Sequence, residues 1–443
     1  MRLAAMIALS LLATMAAPAP SEARRAAVGG GEASVYLGNV DLALLANALE
    51  TTPLVEPRDR RISPDLAAAW PTIGEEGARS RFLAGLVSSD AGRLWTLVPH
   101  GDAKPLAGIL AACLSGSDAW PARALRAAGT EVTVGTAGER VTLSFSSPVG
   151  AVLALLRGCA SPDGPFLAAG DSGWTANPAA AGGRPHLDTV TVVTTPGEAA
   201  LLAATSGAAG ELLVAPWPDV WLLVPDEAAK DADPLDLGVA GEGLSRFSDE
   251  LAADLILAVH RGGRGAATTH LLPPGVAPAR SMAVALGRAP APPLTLLPLP
   301  ADAPSLRVAH QAADELAGAL LERLALLLRA RGWAVTGAES KGAPAAHIVR
   351  WRPSTPDTGL ALLTLAADLD LPLPPDSAEG LLSATRAERT SAALTIERQW
   401  LDARLVVPLL TAERTLTVSP RLVGVRVRGD GAPVLDDAWW VSP

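Results

Sequence analysis

The run Thr189 to Val193 consists entirely of β-branched residues. Two heavy atoms on Cβ make such side chains stiff, and they fit a pleated strand better than a helix. Behind it the pattern predicts a helix over 198–206 and a strand over 211–214. Strand, helix and strand in succession predict a mixed α/β sheet. Upstream, Val141, Leu143 and Phe145 alternate with polar residues at period two, and with 131–134 they predict a hairpin. At 443 residues the chain is too long for one ordinary core, so two or three domains are expected. Its 49% of apolar and 19% of charged residues supply a large core and exclude a disordered chain.

Further strands are expected at 33–38, 95–99, 294–299, 360–365, 405–410, 416–418 and 422–427. Helices are expected at 41–49, with Asp41 as N-cap, and at 63–70, 106–114, 120–128, 149–156, 248–259 and 378–401. The longest helix is expected over 308–331, where apolar residues recur at three and four and Gly332 follows as a C-cap. The Pro-rich stretch 273–304 is expected to carry a hinge into a second lobe.

The N-terminus reads as a signal peptide over 1–23. Arg2 is the positive start, 3–17 is apolar, Pro18 and Pro20 break it, and small residues surround a cleavage site near Ala23. The apolar stretch is shorter than the about 20 residues that span a bilayer. Export to the periplasm as a soluble protein is therefore expected. In that oxidising compartment Cys113 and Cys159 can join, and a disulfide and two buried thiols both remain open.

The formal net charge of −10 and the lack of any long Lys/Arg cluster argue against a nucleic-acid partner, since phosphate binding needs basic faces. No Gly-x-Ser-x-Gly elbow, no Gly-x-Gly-x-x-Gly after a strand and no phosphate loop occurs. The six His residues show no ligand spacing, and two Cys alone match no metal motif. The chain is read as a non-enzyme with no cofactor and no metal.

Several segments in order resemble the extracellular solute-binding proteins of family 5, the oligopeptide, dipeptide and nickel binders of ABC transporters. They are 37–41, 64–70, 141–156, 163–166, and above all Asn177 to Val192 with its Asn-Pro, Gly-Gly, Pro185 and Leu187-Asp188. The helix 251–261 and the closing run 406–441, through Pro420 to Gly424 and Leu435 to Trp439, are similar as well. The chain is short for this family, with the shortening placed in the second lobe.

The resemblance implies a two-lobed periplasmic binding protein fold of type II, cluster C-like, with mixed β-sheets, a hinge and an extra subdomain in the first lobe. It divides the chain into a first lobe at 28–255 and 412–443, with a subdomain inserted at about 56–162, and a second lobe at 256–411. It implies a monomer that encloses a peptide or similar small solute and delivers it to a permease in the inner membrane. The alternative is a decayed member acting as ligand sensor, chaperone or scaffold without transport. Gly38, Asn39 and Asp41 occupy the family's cleft loop. Asp368 stands where a carboxylate following a second-lobe strand would pair with a peptide's amino group, and Trp351 is an aromatic candidate for the pocket wall, with core packing as its alternative use. Trp174, Trp217 and Trp221 are further aromatic candidates, with core packing as their alternative use.

Overall fold

A computed structural model describes residues 32–37, 56–57, 78–79, 83–99, 101–116, 119–156, 158–159, 167–170, 173–176, 189–193, 211–215, 217–226, 256–257, 264–277, 298–299, 305–311, 314–330, 332, 334–337, 344, 346–383, 385–418, 422–423, 425–427, 433–434 and 439–440. The signal peptide, the helices expected at 41–49, 63–70 and 198–206, and the cleft-loop residues Gly38, Asn39 and Asp41 lie outside the described residues.

The described elements begin with β1 (Glu32–Leu37), β2 (Glu56–Pro57), β3 (Ala78–Arg79), β4 (Leu83–Ser89) and β5 (Leu94–Pro99). Helices α1 (Ala103–Ser115) and α2 (Trp120–Ala127) lead to the hairpin β6 (Val132–Ala137) and β7 (Arg140–Phe145), then α3 (Val152–Leu156). Strands β8 (Leu167–Gly170), β9 (Gly173–Ala176), β10 (Thr189–Val193), β11 (Glu211–Val214), β12 (Asp219–Pro225) and β13 (Gly265–Ala267) follow. Next come β14 (Ser305–His310), α4 (Glu315–Arg329), β15 (Ala334–Gly337) and β16 (Ala346–Trp351). Helices α5 (Thr358–Leu369), α6 (Ser377–Leu381) and α7 (Arg386–Asp402) precede β17 (Val407–Ala412) and β18 (Thr415–Val418). The short strands β19 (Leu422–Val423), β20 (Arg426–Val427), β21 (Pro433–Val434) and β22 (Trp439–Trp440) close the series.

Two six-stranded mixed sheets form the frame. The first runs β11-β18-β1-β10-β9-β8, with β1 parallel to β10 and antiparallel to β18. The second runs β13-β17-β12-β16-β14-β15, with β14 parallel to both β15 and β16, and β12 antiparallel to β16 and β17. A four-stranded antiparallel sheet, β4-β5-β7-β6, belongs to the segment expected as a subdomain. The architecture is α/β in the two-lobed arrangement.

Among the described residues the chain crosses between the six-stranded sheets twice, from β11 to β12 through 215–218 and from β17 to β18 through 413–414. The strand β12, placed in the first lobe by the expected division, is thus a central strand of the second sheet. The Pro-rich stretch holds no such crossing in its described part: Val276 and Ala277 are buried in the core.

Two expectations are corrected. Residues 360–365 are helical, inside α5. Their Leu/Ala composition favours a helix, Asp357 caps it by accepting from the Leu360 backbone N–H, and Thr364 is their only β-branched residue. A run apolar on every side cannot reveal its period, and all of 358–366 is buried. Second, 308–331 is not one helix: β14 takes 305–310, and α4 starts only after its N-cap Asp314. The longest described helix is instead α7, at 17 residues. In addition, β12 and β16, for which no strand was expected, lie at the centre of the second sheet. In β12, Val220 to Leu223 are all buried, so an apolar run replaces alternation.

Alternation along β12 and β16 still decides which core each residue enters. Val220, Leu222 and Trp351 face one cluster; Trp221, Leu223, Ala346 and Ile348 face the other. The second cluster is closed by α4 through Leu316, Leu320, Leu324, Leu327 and Leu328. The first continues without a break through α5 and α7 into α1, α2, α3 and the four-stranded sheet. The disulfide Cys113–Cys159 forms inside that cluster, with Cα atoms 5.5 Å apart, and ties the end of α1 to the turn after α3.

Candidate functional site

Strand β16 ends at Trp351, and the two residues at its end face opposite ways. Each side carries a polar cluster at the end of the sheet from which both crossings leave.

On the face of the large core, Asp368 of α5 meets Arg123 of α2, with Arg123 Nη1 3.3 Å from Asp368 Oδ1. Trp351 stands beside this pair, only 3% exposed. Burial raises the pKa of Asp368 above 3.8, while Arg123 and the Trp351 indole N–H pull it down. The indole N–H lies short of full hydrogen-bond geometry. The structure thus brings Trp351 and Asp368 together. It puts Asp368 on the last turn of a helix rather than behind a strand, and gives it an internal cation.

On the opposite face sits a more deeply buried cluster. Asp219, the first residue of β12, is 2% exposed. Arg414, in the second crossing, brings its Nε to 2.7 Å from Asp219 Oδ1. Arg352, directly after β16, places Nε 3.4 Å from the same oxygen. Two guanidinium groups therefore share one carboxylate. Nearby, Ala215 donates its N–H to the Arg414 carbonyl at 2.9 Å, which joins the two crossing segments directly. Arg264 and Glu413 pair across the edge at 3.2 Å, both partly exposed. One layer deeper, the Trp221 indole donates to Asp314 Oδ2 at 3.0 Å, and Asp314 also caps α4.

Asp219, Arg352 and Arg414 were not legible in advance. They flank apolar runs, which is where charges ordinarily sit, and Arg352 and Asp219 are 133 positions apart. Trp217, in the first crossing, is partly buried against the large core, and Trp221 is 1% exposed within the smaller one. Among the described residues no group of three or more His, Cys, Asp or Glu gathers as for a metal ion. Among them, too, no helix is long and apolar enough to cross a membrane.

No family profile matches the sequence, and no curated protein matches it. Solved structures do match. The periplasmic binding protein DppA of Helicobacter pylori, in complex with the peptide STSA, aligns at TM-score 0.61 and 10% identity, over 96% of this chain and 100% of that one. NikA of Staphylococcus aureus, in complex with Ni(L-His)2, aligns at TM-score 0.66 and 9% identity over 94% and 100%. The oligopeptide-binding protein AppA of Bacillus subtilis, in complex with a nonapeptide, aligns at 0.62 and 10% over 94% and 100%. At such identities the likeness is one of fold alone: this chain shares the fold of these binding proteins.

Proposed function

We propose that the protein is the solute-binding component of an ABC importer, which encloses a peptide or similar small solute between two lobes and hands it to a membrane permease. The reading is carried by one observation: two mixed sheets exchange the chain through a pair of short crossings, 215–218 and 413–414, tied together by the Ala215–Arg414 backbone bond. Paired crossings permit lobe closure by torsion at a few residues, the hinge motion by which such folds capture ligands. Concave surface between lobes is where small-molecule sites are usually found. The role needs export to the periplasm and no chemistry on the ligand.

The similarity to binding proteins of peptides and of a nickel–histidine complex supports this class of ligand without selecting one member. Thermal denaturation with peptide mixtures and nickel chelates tests the reading. A ligand at about 100 times its Kd adds about 2.7 kcal/mol to stability and raises the Tm measurably. Small-angle scattering should show compaction with the same ligand. A Tm unmoved by every solute of both classes would overturn solute capture.

A further inference from the structure

We propose that the four-stranded sheet and its helices α1 to α3 move as one body with the second six-stranded sheet, so that only the first sheet swings when the protein closes on its solute. The inference rests on the solute-capture reading and specifies which parts of the molecule move.

Chain order alone would divide the molecule differently. The segment from β4 to α3 lies between β1 and β8, which are both strands of the first sheet, and this couples it by connectivity to that sheet. Its packing joins it to the other. Helix α2 lies along α5, and its Ala124 and Leu125, at most 1% exposed, belong to the same buried cluster as Leu360 to Leu363 of α5. Leu97 and Leu143 of the four-stranded sheet share that cluster with Leu222 of β12 and Trp400 of α7. Surfaces that part and rejoin in a domain motion are partly polar, because each opening returns them to water. A large apolar junction holds its two sides together.

Two polar ties cross the same junction. The Gly150 N–H, in the turn between β7 and α3, donates to the Leu382 carbonyl after α6 at 2.7 Å. Val149 beside the donor and Leu382 itself are at most 1% exposed, so water is kept from this bond. Arg123 of α2 meets Asp368 of α5 at 3.3 Å. In this division the Arg123–Asp368 pair is an internal tie rather than a solute contact. The cleft then opens only toward the first sheet, by torsion at the crossings 215–218 and 413–414.

Three exposed residues report on the three sheets: Val87 of β4, Val214 of β11, and Leu326 of α4, the helix that covers the second sheet. The two native cysteines are closed in a disulfide, so cysteines introduced at these positions take fluorescent dyes selectively. Energy transfer is measured in the full chain carrying Val87→Cys with Leu326→Cys, and in the chain carrying Val214→Cys with Leu326→Cys. Each is read free, with a mixture of di- and tripeptides, and with nickel–histidine. The Val214–Leu326 transfer efficiency should shift with one of these solutes, while the Val87–Leu326 efficiency stays where it was. A shift between Val87 and Leu326, with or without one in the other pair, would overturn the single moving body and leave solute capture standing. No shift in either pair with either solute would remove solute capture, and this inference with it.

Discussion

At the scale of single residues, burial decides what a charge does in this protein. Asp368, whose side chain is still 23% exposed, has its carboxyl pushed upward by partial burial and drawn back by Arg123 and Trp351. Its pKa in the folded chain lies above its unfolded value, so the folded state binds the proton more tightly. The contribution of this group to stability is thus greatest below pH 3.8 and declines as pH rises through the folded pKa. Asp368→Asn removes that dependence. Urea denaturation of both proteins across pH should show the variant gaining on wild type from pH 3.8 upward, then levelling off. A flat difference would mean that the carboxyl titrates alike in both states. The disulfide is the other residue-scale device. Its two Cys residues are 46 positions apart, and closing a loop of that size removes about 3–4 kcal/mol of unfolded-state freedom in the chain-entropy account. Cys113→Ser with Cys159→Ser should lower stability by that order in chemical denaturation, and reduction of the wild type should match it.

At the scale of elements, helix α5 shows how local signals compete. Asp357 caps its first turn and at the same time grips Arg389 of α7, with Arg389 Nε 2.9 Å from Asp357 Oδ2 and Nη1 2.8 Å from the Ser383 carbonyl. Both partners are buried, so removing the acid strands a cation. Asp357→Ala should cost about 3–5 kcal/mol in equilibrium unfolding, more than a lost cap alone would account for. Gly359, two residues on, has no room for a side chain. A Cβ there would stand 2.6 Å from the Leu381 carbonyl oxygen and 3.0 Å from the Arg389 Cβ. Gly359→Ala should therefore destabilise by about 1–3 kcal/mol, although alanine is the better helix former. Elements with a visible period were legible from sequence. The hairpin β6–β7 and the helices α1 and α2 lie close to their expected positions, and β10 and β11 at the same residues. Elements that read as unbroken buried apolar runs were not, and α5 and β12 belong to that group.

At the scale of the whole molecule, the continuity of the large core is the main structural fact. Leu97 and Val141 of the four-stranded sheet, Leu362 of α5 and Leu222 of the second sheet are all 0% exposed within one cluster. The small sheet and helices α5 and α7 should therefore unfold together. Leu362→Ala should lower stability by about 2–5 kcal/mol, and hydrogen exchange should show lost protection in β5 and β7 as well as in α5. Loss confined to α5 would show that the small sheet stands alone.

Sequence alone determined the class of this protein. Its period-two and helical patterns specify a mixed α/β chain, and ordered segments from 37 to 441 resemble the family whose fold the solved structures share. Such signals are local, because they follow from the geometry of a strand or a helix and survive wide sequence divergence. Tertiary structure alone decided where the chain crosses between sheets, and that Asp219 meets both Arg352 and Arg414 while Asp368 is taken up by Arg123. Those pairings join residues far apart in the chain. The energy of a charge depends on what surrounds it in space, and no local pattern carries that information.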